Sequence, residues 1–525
     1  MPRKRHFALG LLTALVLASA LRYPLLDVRP MHNDEAVNAI KFGQLWTHGA
    51  YQYDPREYHG PTLHYATFAL EKLVRAPGFD QFTATRLRLV TVLFGLGLVL
   101  LLPLVADGLG RGGAAWAAVF TAVSPALVFY SRDFIHETLL VFFVFLALAA
   151  CWRYWQSRRL VWALIAGAGL GLLSATKETF VLNLAAAILA LALNHGWNRF
   201  LDASRPPAKP HRLNPWHLAA GLGVCLFAAF ALFSSFFTHL AGVLDAIRTF
   251  AVWLPRASTS SSHIHPWHYY LHRLLFFHPA RGPLWTEALI LVLGVIGARS
   301  GFVRAGLAGA NASLVRFLTL YTLLLTAAYS VVSYKTTWCL LSFWHGTILL
   351  AGVGAAVLVD RAKPGWSRLG VGVLLAAGAA HLAWQAWLAS VPYSADLRNP
   401  YVYAQTSPDL LNLVGQVEAL ALVHPEGRQM VIKVMAPDGD YWPLPWYLHT
   451  FKRVGWWSEA PPDPFAPVTI VSPMLHARLD ESKTHVMAGY FELRPQVFLE
   501  LYVETNLWQG MLDAKAPAPL RPPTR

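Results

Sequence analysis

The chain has 525 residues, of which 55% are hydrophobic and only 14% are charged. Because soluble globular proteins carry about 25% charged residues, this composition disfavours a chain that is water-soluble and globular throughout. The formal net charge of +14 is consistent with a nucleic-acid partner or with the basic loops that set membrane topology. The three cysteines, Cys151, Cys225 and Cys339, all lie inside apolar runs, so no disulfide framework, redox pair or zinc-finger spacing is available.

The N-terminal segment carries Arg3, Lys4 and Arg5 before an apolar run from Phe7 to about Ala20. It is either a cleaved signal peptide or a retained first membrane helix, and we favour the retained helix. Further apolar runs of spanning or near-spanning length follow, which predicts about eleven transmembrane helices in all. These runs are Leu89–Ala106, Ala114–Tyr130, Thr138–Trp152, Leu160–Thr176, Phe180–Leu193, Leu218–Phe237, Leu284–Ala298, Phe317–Ser333, Trp338–Val359 and Leu369–Leu388.

Basic residues concentrate in alternate loops of this arrangement. If the N-terminus is cytoplasmic, the inner loops include those carrying Arg153, Arg158 and Arg159, and those carrying Arg361 and Arg368, with few acidic residues among them. Cytoplasmic loops are enriched in Lys and Arg in membrane proteins. The basic excess therefore has a topological explanation, and we expect no nucleic-acid partner.

The opposite set of loops holds most acidic side chains of the membrane region, together with most of its histidines. The acids include Asp34, Glu35, Asp54, Glu57, Asp133, Glu137, Glu178, Asp245 and Glu287. A transporter more often keeps ionisable groups near the bilayer midplane. Reactive groups gathered at helix ends on one face indicate an enzyme whose site faces outward.

After Leu388 the apolar runs shorten, and proline and charged residues increase. Short strand-like runs occur at Met430–Met435 and Val497–Val503, and Ser407–Val423 has the pattern of an amphipathic helix. We predict a transmembrane catalytic domain over residues 1–390, a small extracytoplasmic α/β domain over 391–513, and a disordered Pro- and Ala-rich tail over 514–525.

The first outer loop places adjacent carboxylates, Asp34 and Glu35, directly after the first membrane helix. A carboxylate at the membrane edge is partly desolvated, which raises its pKa toward values useful for general-base catalysis. The structural alternative is that Asn33 or Asp34 caps a helix through Ala36–Trp46.

Several motifs of this loop resemble the first luminal loop of protein O-mannosyltransferases and their bacterial relatives, in the GT-C superfamily. These motifs are His32-Asn33-Asp34-Glu35, Gly49 with Tyr51, Tyr53-Asp54 and His59-Gly60-Pro61. Gly60 stands where that family places the first proline of a His-Pro-Pro element. The closer resemblance is to the prokaryotic flippase-activity-associated proteins of archaeal-type surface glycosylation. It rests on Tyr58-His59-Gly60-Pro61, Tyr334-Lys335-Thr336-Thr337-Trp338 and Asn399-Pro400-Tyr401-Val402-Tyr403, and extends from Met31 to about Trp457.

The resemblance implies a GT-C-like α-helical polytopic fold in the cytoplasmic membrane of a prokaryote, with the N-terminus cytoplasmic. It implies inverting transfer of a hexosyl or related sugar from a polyprenyl-phosphate donor to an acceptor glycan, lipid or protein on the extracytoplasmic face. Asp34 would act as the base, and Glu35 and His59 would orient the base or the acceptor. We expect no obligatory cofactor, although a divalent cation is possible because other GT-C branches use their first-loop aspartate as a ligand.

Further candidate residues lie in later outer loops. Asp133 and Glu137 are four residues apart and would share a helix face, with Arg132 nearby. This group would position a lipid phosphate or acceptor, or form a helix-end ion pair. Lys177 beside Glu178 would bind phosphate or extend to the membrane interface. Tyr334 and Lys335 form a similar hairpin.

The loop from His263 to His278 is rich in histidine and aromatic residues. His265 would contact substrate or lipid carrier, contribute to a metal site, or belong to an interfacial aromatic belt. In the tail, Asp440–Tyr447 is either an aromatic sugar platform or packing of that domain.

Two other functions compete with glycosyl transfer. One is a flippase-associated or transporter-type protein that binds a lipid-linked glycan without catalysis. The other is a ligase that uses a pyrophosphate-linked oligosaccharide.

Overall fold

The computed structural model describes residues 2–56, 59–201, 213–256, 263–303 and 306–515. The chain divides into two compact units. The first comprises Met1–Leu26, Phe42–Pro77 and Thr83–Tyr403, and the second comprises Asp27–Lys41, Gly78–Phe82 and Ala404–Arg525. Helix α2 is divided between them.

The part of the chain up to Ser390 is helical. Its helices are α1 (Pro2–Arg22), α2 (Asn33–His48), α3 (Thr62–Leu73), α4 (Ala84–Leu101), α5 (Arg111–Val123), α6 (Pro125–Ser131), α7 (Glu137–Ser157), α8 (Leu160–Ser174), α9 (Phe180–Gly196), α10 (Pro215–Phe233), α11 (Ala241–Arg256), α12 (Tyr269–Leu275), α13 (Ala288–Val303), α14 (Ala312–Val331), α15 (Leu341–Arg361) and α16 (Trp366–Ser390).

Each apolar run of the sequence contains a helix. Among the described residues, seven helices are long and apolar enough to cross a membrane, and the bent pair α5–α6 would make an eighth. Three further apolar helices, His6–Arg22, Leu160–Ser174 and Ala288–Val303, are shorter. The multi-span helical fold is therefore confirmed, whereas the number of eleven spans stays a prediction.

The bend of 57° between α5 and α6 occurs at Pro125, which lacks an N–H and disfavours helical backbone in the residue before it. Buried charges bind the two helix ends that the break exposes. The Arg22 guanidinium donates to two carbonyl oxygens in the last turn of α5, at 2.7 and 2.8 Å. The Glu287 carboxylate accepts from the Ala126 amide in the first turn of α6 at 3.0 Å. Each charge has the sign that complements the helix dipole it meets.

Glycines allow close backbone contact between the apolar helices of the first unit. A Cβ atom on Gly167 of α8 would lie 2.0 Å from the Gly221 carbonyl oxygen of α10. On α15, a Cβ atom on Gly354 would lie 1.9 Å from the Leu293 carbonyl oxygen of α13. Small residues at such interfaces are typical of membrane helices, where dispersion forces drive helix association.

The second unit is built on a five-stranded sheet. Its elements are α17 (Asp409–Val423), β1 (Val431–Met435), α18 (Leu444–Tyr447), β2 (Arg453–Trp457), β3 (Val468–Val471), β4 (His485–Arg494), β5 (Val497–Glu504) and α19 (Thr505–Lys515). The strand order is β2-β1-β3-β5-β4, with β1 parallel to β2 and β3, and β5 antiparallel to β3 and β4. The predicted strands and amphipathic helix are confirmed as β1, β5 and α17.

The second unit also includes segments from the beginning of the chain. Thr406 Oγ1 donates to the Met31 carbonyl oxygen at 2.7 Å, and the Met31 amide donates to the Tyr447 hydroxyl at 2.8 Å. Lys452 Nζ lies 2.7 Å from the Asp80 carboxylate. A change in composition along the chain indicates a boundary but does not show such long-range partners.

The aromatic segment 440–447 packs largely within the second unit. Tyr441 lies 4.8 Å from Trp456 between ring centroids, and Trp446 is buried. Of the predicted disordered tail, Ala514 and Lys515 end α19, and residues 516–525 lie outside the described residues.

Candidate active site

Residues 59–62 lie against the loop that joins α8 to α9. The Gly60 amide donates to the Thr176 carbonyl oxygen, and the Thr62 amide donates to the Ala175 carbonyl oxygen, both at 3.1 Å. A Cβ atom on Gly60 would lie 2.1 Å from the Ala175 carbonyl oxygen. Proline at this position would clash there and would also lack the N–H that Gly60 donates. The departure from the His-Pro-Pro pattern therefore has a physical reason in this chain.

Two pairs of polar side chains meet at the same loop. Lys177 Nζ donates to Glu137 Oε1, and Glu137 is the first residue of α7. Nδ1 of His59 lies 2.8 Å from Oε2 of Glu178. The fold thus brings together predicted residues from three separate loops of the sequence. The neighbouring Glu57 and Tyr58 lie outside the described residues.

These pairs favour charged forms despite burial. Burial alone would lower the pKa of the Lys177 ammonium, but the Glu137 carboxylate outweighs burial and raises that pKa. Burial alone would raise the pKa of the Glu178 carboxyl, but the adjacent His59 imidazole holds that pKa below its ordinary value. Lys177 is therefore positively charged, and Glu178 is ionised, at neutral pH.

His136 joins this group, although it is not among the residues predicted for the site. Its ring centroid lies 5.3 Å from that of His59 and 5.9 Å from that of His64, and its Nε2 lies 3.0 Å from the Gly60 carbonyl oxygen. Complete burial, with the nearby histidines and Lys177, lowers the pKa of His136 well below its ordinary value. His136 is therefore neutral, with its proton on Nε2 to donate to Gly60. In the described part of the chain, no group of three or more His, Cys, Asp or Glu side chains has metal-binding geometry.

A cavity of about 560 Å³ opens beside these residues in the first unit. Most of its wall is apolar and comes from α10 and α11, including Phe227, Phe230 and Ile247. Lys177 and Glu178 contribute polar groups to the wall, as do Tyr53, Gly60, Ser174 and Thr249. Phe227 and Ile247 are also 64% and 70% exposed, so the apolar wall continues onto the outer surface of the helices.

Tyr53 forms part of the polar wall. Its hydroxyl donates to Thr249 Oγ1 at 3.2 Å. Burial, together with the charge of Glu178, raises the pKa of Tyr53 above its ordinary value. The hydroxyl therefore stays protonated, and its single proton is the one that Thr249 accepts.

Arg132 binds backbone instead of lining this cavity. Its guanidinium donates to the carbonyl oxygens of Leu21, Arg22, Pro24 and Leu25, at 2.7 to 3.2 Å. Arg132 therefore closes the C-terminal end of α1. The prediction that Asp133 shares a helix face with Glu137 is wrong, because α7 begins at Glu137 and Asp133 lies in the preceding bend.

Two further predicted loops of the first unit contact each other. Ile264 and Tyr334 form an isolated antiparallel bridge, and the Lys335 amide donates to the His263 carbonyl oxygen at 2.9 Å. His265 stacks on Tyr269 with 4.2 Å between ring centroids. Burial, with the nearby charge of Arg273, lowers the pKa of His265. Lys335 Nζ donates to the Val332 carbonyl oxygen of its own loop.

The motif Asn399–Tyr403 contacts one of these loops and the residue that precedes α13. The Tyr401 hydroxyl donates to Glu287 Oε1 at 2.7 Å, and the Tyr403 hydroxyl contacts His263 Nδ1. Glu287 also accepts from Ser124 at 2.5 Å and from Trp344 at 3.0 Å. Glu287 was visible in the sequence only as one of several outer acids, because its four donors come from distant segments.

The Asp34–Glu35 pair lies in the second unit, where the two carboxylates have different surroundings. The His32 amide donates to Glu35 Oε2 at 2.9 Å, and the Asp34 amide donates to His32 Nδ1 at 3.1 Å. This is the reciprocal geometry of a capping box, with histidine as the N-cap. The predicted cap at Asn33 or Asp34 is therefore wrong. Glu35 is buried, whereas the Asp34 side chain is 43% exposed to solvent.

Comparison with protein families supports the fold at low sequence similarity. Residues 75–207 match the family described as dolichyl-phosphate-mannose-protein mannosyltransferase, which covers a minor part of the chain. No curated protein sequence matches the chain.

Solved structures match over most of the chain. ArnT from Cupriavidus metallidurans, bound to undecaprenyl phosphate, has a TM-score of 0.62 at 15% identity, covering 95% of this chain and 98% of ArnT. The same protein in the apo state has a TM-score of 0.61 at 14% identity, with coverages of 95% and 98%. The Archaeoglobus fulgidus oligosaccharyltransferase, tethered to an acceptor peptide, has a TM-score of 0.51 at 13% identity, with coverages of 86% and 64%. These similarities show that the chain shares the fold of these proteins.

Proposed function

We propose that this chain is a GT-C-type membrane glycosyltransferase that transfers a sugar from a polyprenyl-phosphate-linked donor to an acceptor on the extracytoplasmic face. The observation that carries the proposal is the cavity of about 560 Å³, which combines an apolar wall with the polar groups around Lys177 and Glu178. A polyprenyl phosphate has the same two parts, an apolar chain and an anionic head. The similar fold of ArnT, which was solved with undecaprenyl phosphate, supports this choice.

The donor phosphate would bind at Lys177. An ammonium group has three N–H donors, so Lys177 can bind Glu137 and a phosphate oxygen together. The Tyr53 hydroxyl lies on the same wall and would become a neutral donor to the phosphate by releasing Thr249 Oγ1. The apolar side chains of α10 and α11 would contact the isoprenoid chain, whose burial contributes about 0.8 kcal/mol per methylene-sized group. Arg132 has no place in this proposal, because its guanidinium binds the carbonyl oxygens that follow α1.

Asp34 is the proposed general base. Its carboxylate would accept the proton of the acceptor hydroxyl while that oxygen attacks the anomeric carbon. The bond between the anomeric carbon and the phosphate oxygen would break, polyprenyl phosphate would leave, and the anomeric configuration would invert. Removal of a general base typically lowers the rate by 10²–10⁴. Glu35 would position Asp34 through the capping box, since its carboxylate binds the His32 amide.

The proposed enzyme spans the cytoplasmic membrane of a prokaryote, with its N-terminus in the cytoplasm and its site on the outside. The distribution of arginine among alternate loops supports this orientation. The acceptor would be a glycan, a lipid or a protein. The proposed reaction needs no cofactor, and adding EDTA to a transfer assay tests for a divalent cation.

The decisive experiment compares surface glycans and glycolipids by mass spectrometry in a deletion strain. The strain is complemented with wild-type protein, with Asp34→Asn, or with Asp27→Asn as a matched control. Asp27 is an exposed carboxylate of the same N-terminal segment. We expect the deletion and Asp34→Asn strains to lack one sugar residue, and the wild-type and Asp27→Asn strains to contain it.

A flippase-associated or transporter-type protein would use the same cavity but would need no base. In that case, Asp34→Asn would restore the glycan fully, and the deletion strain would accumulate an intact lipid-linked glycan on the cytoplasmic side. Restoration by Asp34→Asn at equal protein levels would therefore refute the assignment of Asp34.

A further inference from the structure

A second, larger cavity lies at the other end of the helices in the first unit. Its volume is about 1070 Å³. It is lined in part by Arg153 near the C-terminal end of α7, whereas Glu137 at the N-terminal end of α7 belongs to the candidate active site. At 1.5 Å per helical residue, these two positions are roughly 24 Å apart along the helix. The cavity is therefore separate from the one proposed to bind the donor.

Guanidinium groups line this cavity. Arg111, Arg153 and Arg368 come from three different helices, and the Arg153 side chain is 31% exposed. The wall also contains Asp107 and Asp360. The three arginines exceed the two aspartates, so the wall has a net positive charge. An anionic group is the ligand that such a wall favours.

One of these arginines is held in position. The Asp107 carboxylate accepts from Arg153 Nη1 and from the Trp152 indole N–H, both at 2.9 Å. Asp107 is therefore largely engaged with its own donors. Because this pairing orients the guanidinium, the side chain loses less freedom when a ligand binds.

Apolar residues form much of the remaining wall. Phe7, Pro103, Trp116 and Val359 line the cavity together with the arginines. A soluble anion such as free phosphate would make no use of this surface. A phospholipid would place its phosphate at the arginines and its glycerol and first acyl carbons against the apolar side chains.

We propose that this cavity binds the headgroup of an anionic phospholipid, with Arg111, Arg153 and Arg368 around the phosphate. The site is independent of sugar transfer and requires only that the helices span a bilayer. Because the cavity is at the end of the helices opposite the candidate active site, the lipid would come from the opposite leaflet. Bound lipid would link α5, α7 and α16, which each supply one of the arginines.

The test is lipid retention by the full chain in nanodiscs that contain equal amounts of phosphatidylglycerol and phosphatidylcholine. After transfer to detergent, retained lipids are counted by native mass spectrometry. We expect wild-type protein to retain phosphatidylglycerol preferentially. Each of Arg111→Ala and Arg368→Ala should weaken retention about fivefold, because a basic residue near a lipid headgroup contributes about 1 kcal/mol.

Two other variants sharpen the test. Arg299→Ala removes an exposed arginine near the end of α13 that does not line the cavity, so it should retain phosphatidylglycerol like the wild type. Asp360→Asn removes a carboxylate from the wall and should strengthen retention. If Arg299→Ala lost as much phosphatidylglycerol as Arg111→Ala and Arg368→Ala, the total charge of the protein, and not this cavity, would attract the lipid. That result would overturn the proposal. Displacement of the lipid by millimolar inorganic phosphate would also overturn it, in favour of a soluble anion.

Discussion

Nδ1 of His59 lies 2.8 Å from Oε2 of Glu178, although the two residues are separated by 119 positions in the sequence. The contact joins the loop between α2 and α3 to the loop between α8 and α9, beside the cavity proposed for the donor. The Glu178 side chain is only 9% exposed and that of His59 is 24% exposed, so solvent screens the interaction little. The pairing predicts a pH dependence of stability.

Because the folded pKa of Glu178 is below its ordinary value of 4.5, ionised Glu178 stabilises the fold above that value. The stabilisation is lost as the pH falls through the folded pKa. In Glu178→Gln, thermal unfolding in detergent should therefore depend less on pH below about pH 4.5. Glu459→Gln, which removes an exposed carboxylate, should keep the wild-type dependence. If wild type and Glu178→Gln showed the same pH dependence of thermal unfolding, the pairing of His59 with Glu178 would contribute nothing to stability.

The buried pair of Glu137 and Lys177 predicts strong coupling. Each side chain is below 8% exposed, and removing one partner leaves the other charge buried. Glu137→Gln and Lys177→Met should each lower the free energy of unfolding by about 3–5 kcal/mol. The double variant should lose clearly less free energy of unfolding than the two single variants lose together. Denaturant titration in mixed micelles measures all three losses.

A surface pair provides the control for this cycle. Arg453 and Glu426 lie 3.0 Å apart with side chains 52% and 54% exposed. Their coupling should be about 0–1 kcal/mol, because solvent screens exposed ion pairs. A coupling between Glu137 and Lys177 as small as this would contradict the buried geometry.

Gly60 should tolerate no side chain. Gly60→Ala would place a Cβ atom against the Ala175 carbonyl oxygen, and should lower the free energy of unfolding by about 1–3 kcal/mol. Gly223→Ala is the matched control, since a Cβ atom at Gly223 meets no atom within 4 Å. In helix α10 this control should raise stability by up to about 1 kcal/mol. Thermal unfolding of both variants checks the prediction, and a neutral Gly60→Ala would refute it.

Glu287 should be sensitive to the loss of its charge. Its carboxylate accepts four hydrogen bonds, whereas the amide of Glu287→Gln would point N–H groups toward donors. We expect this variant to lower the free energy of unfolding by about 3 kcal/mol. Tyr401→Phe removes one donor and should cost about 1 kcal/mol. Equal losses of stability in the two variants would contradict the four hydrogen bonds that the Glu287 carboxylate accepts in the structure.

The histidine cap of α2 predicts a difference between two small substitutions. His32→Ala removes the acceptor for the Asp34 amide and should cost about 1 kcal/mol. His32→Ser keeps an N-cap oxygen and should restore most of that loss. If Asp34 is the base, His32→Ala should also slow sugar transfer, because the cap fixes the helix turn that carries Asp34. Identical stability of the Ala and Ser variants would contradict this role of His32.

The sequence by itself determined that this protein is built largely from apolar helices of spanning length, and it determined where those helices lie. Hydropathy is a local property, so a run such as Phe180–Leu193 predicts a helix without knowledge of its neighbours. The strands β1 and β5 and the helix α17 could be predicted for the same reason. Their apolar and polar side chains repeat about every two to four residues, which is also a local pattern.

Only the tertiary structure decided which polar residues are partners. It joined His59 to Glu178, bound Arg132 to the backbone carbonyls at the end of α1, and made His32 the cap of α2. The contacts of His59 and Arg132 join residues distant in the sequence, and a single sequence carries no signal for them. The motifs therefore located the candidate residues, and the packing of the helices determined which of them contact one another.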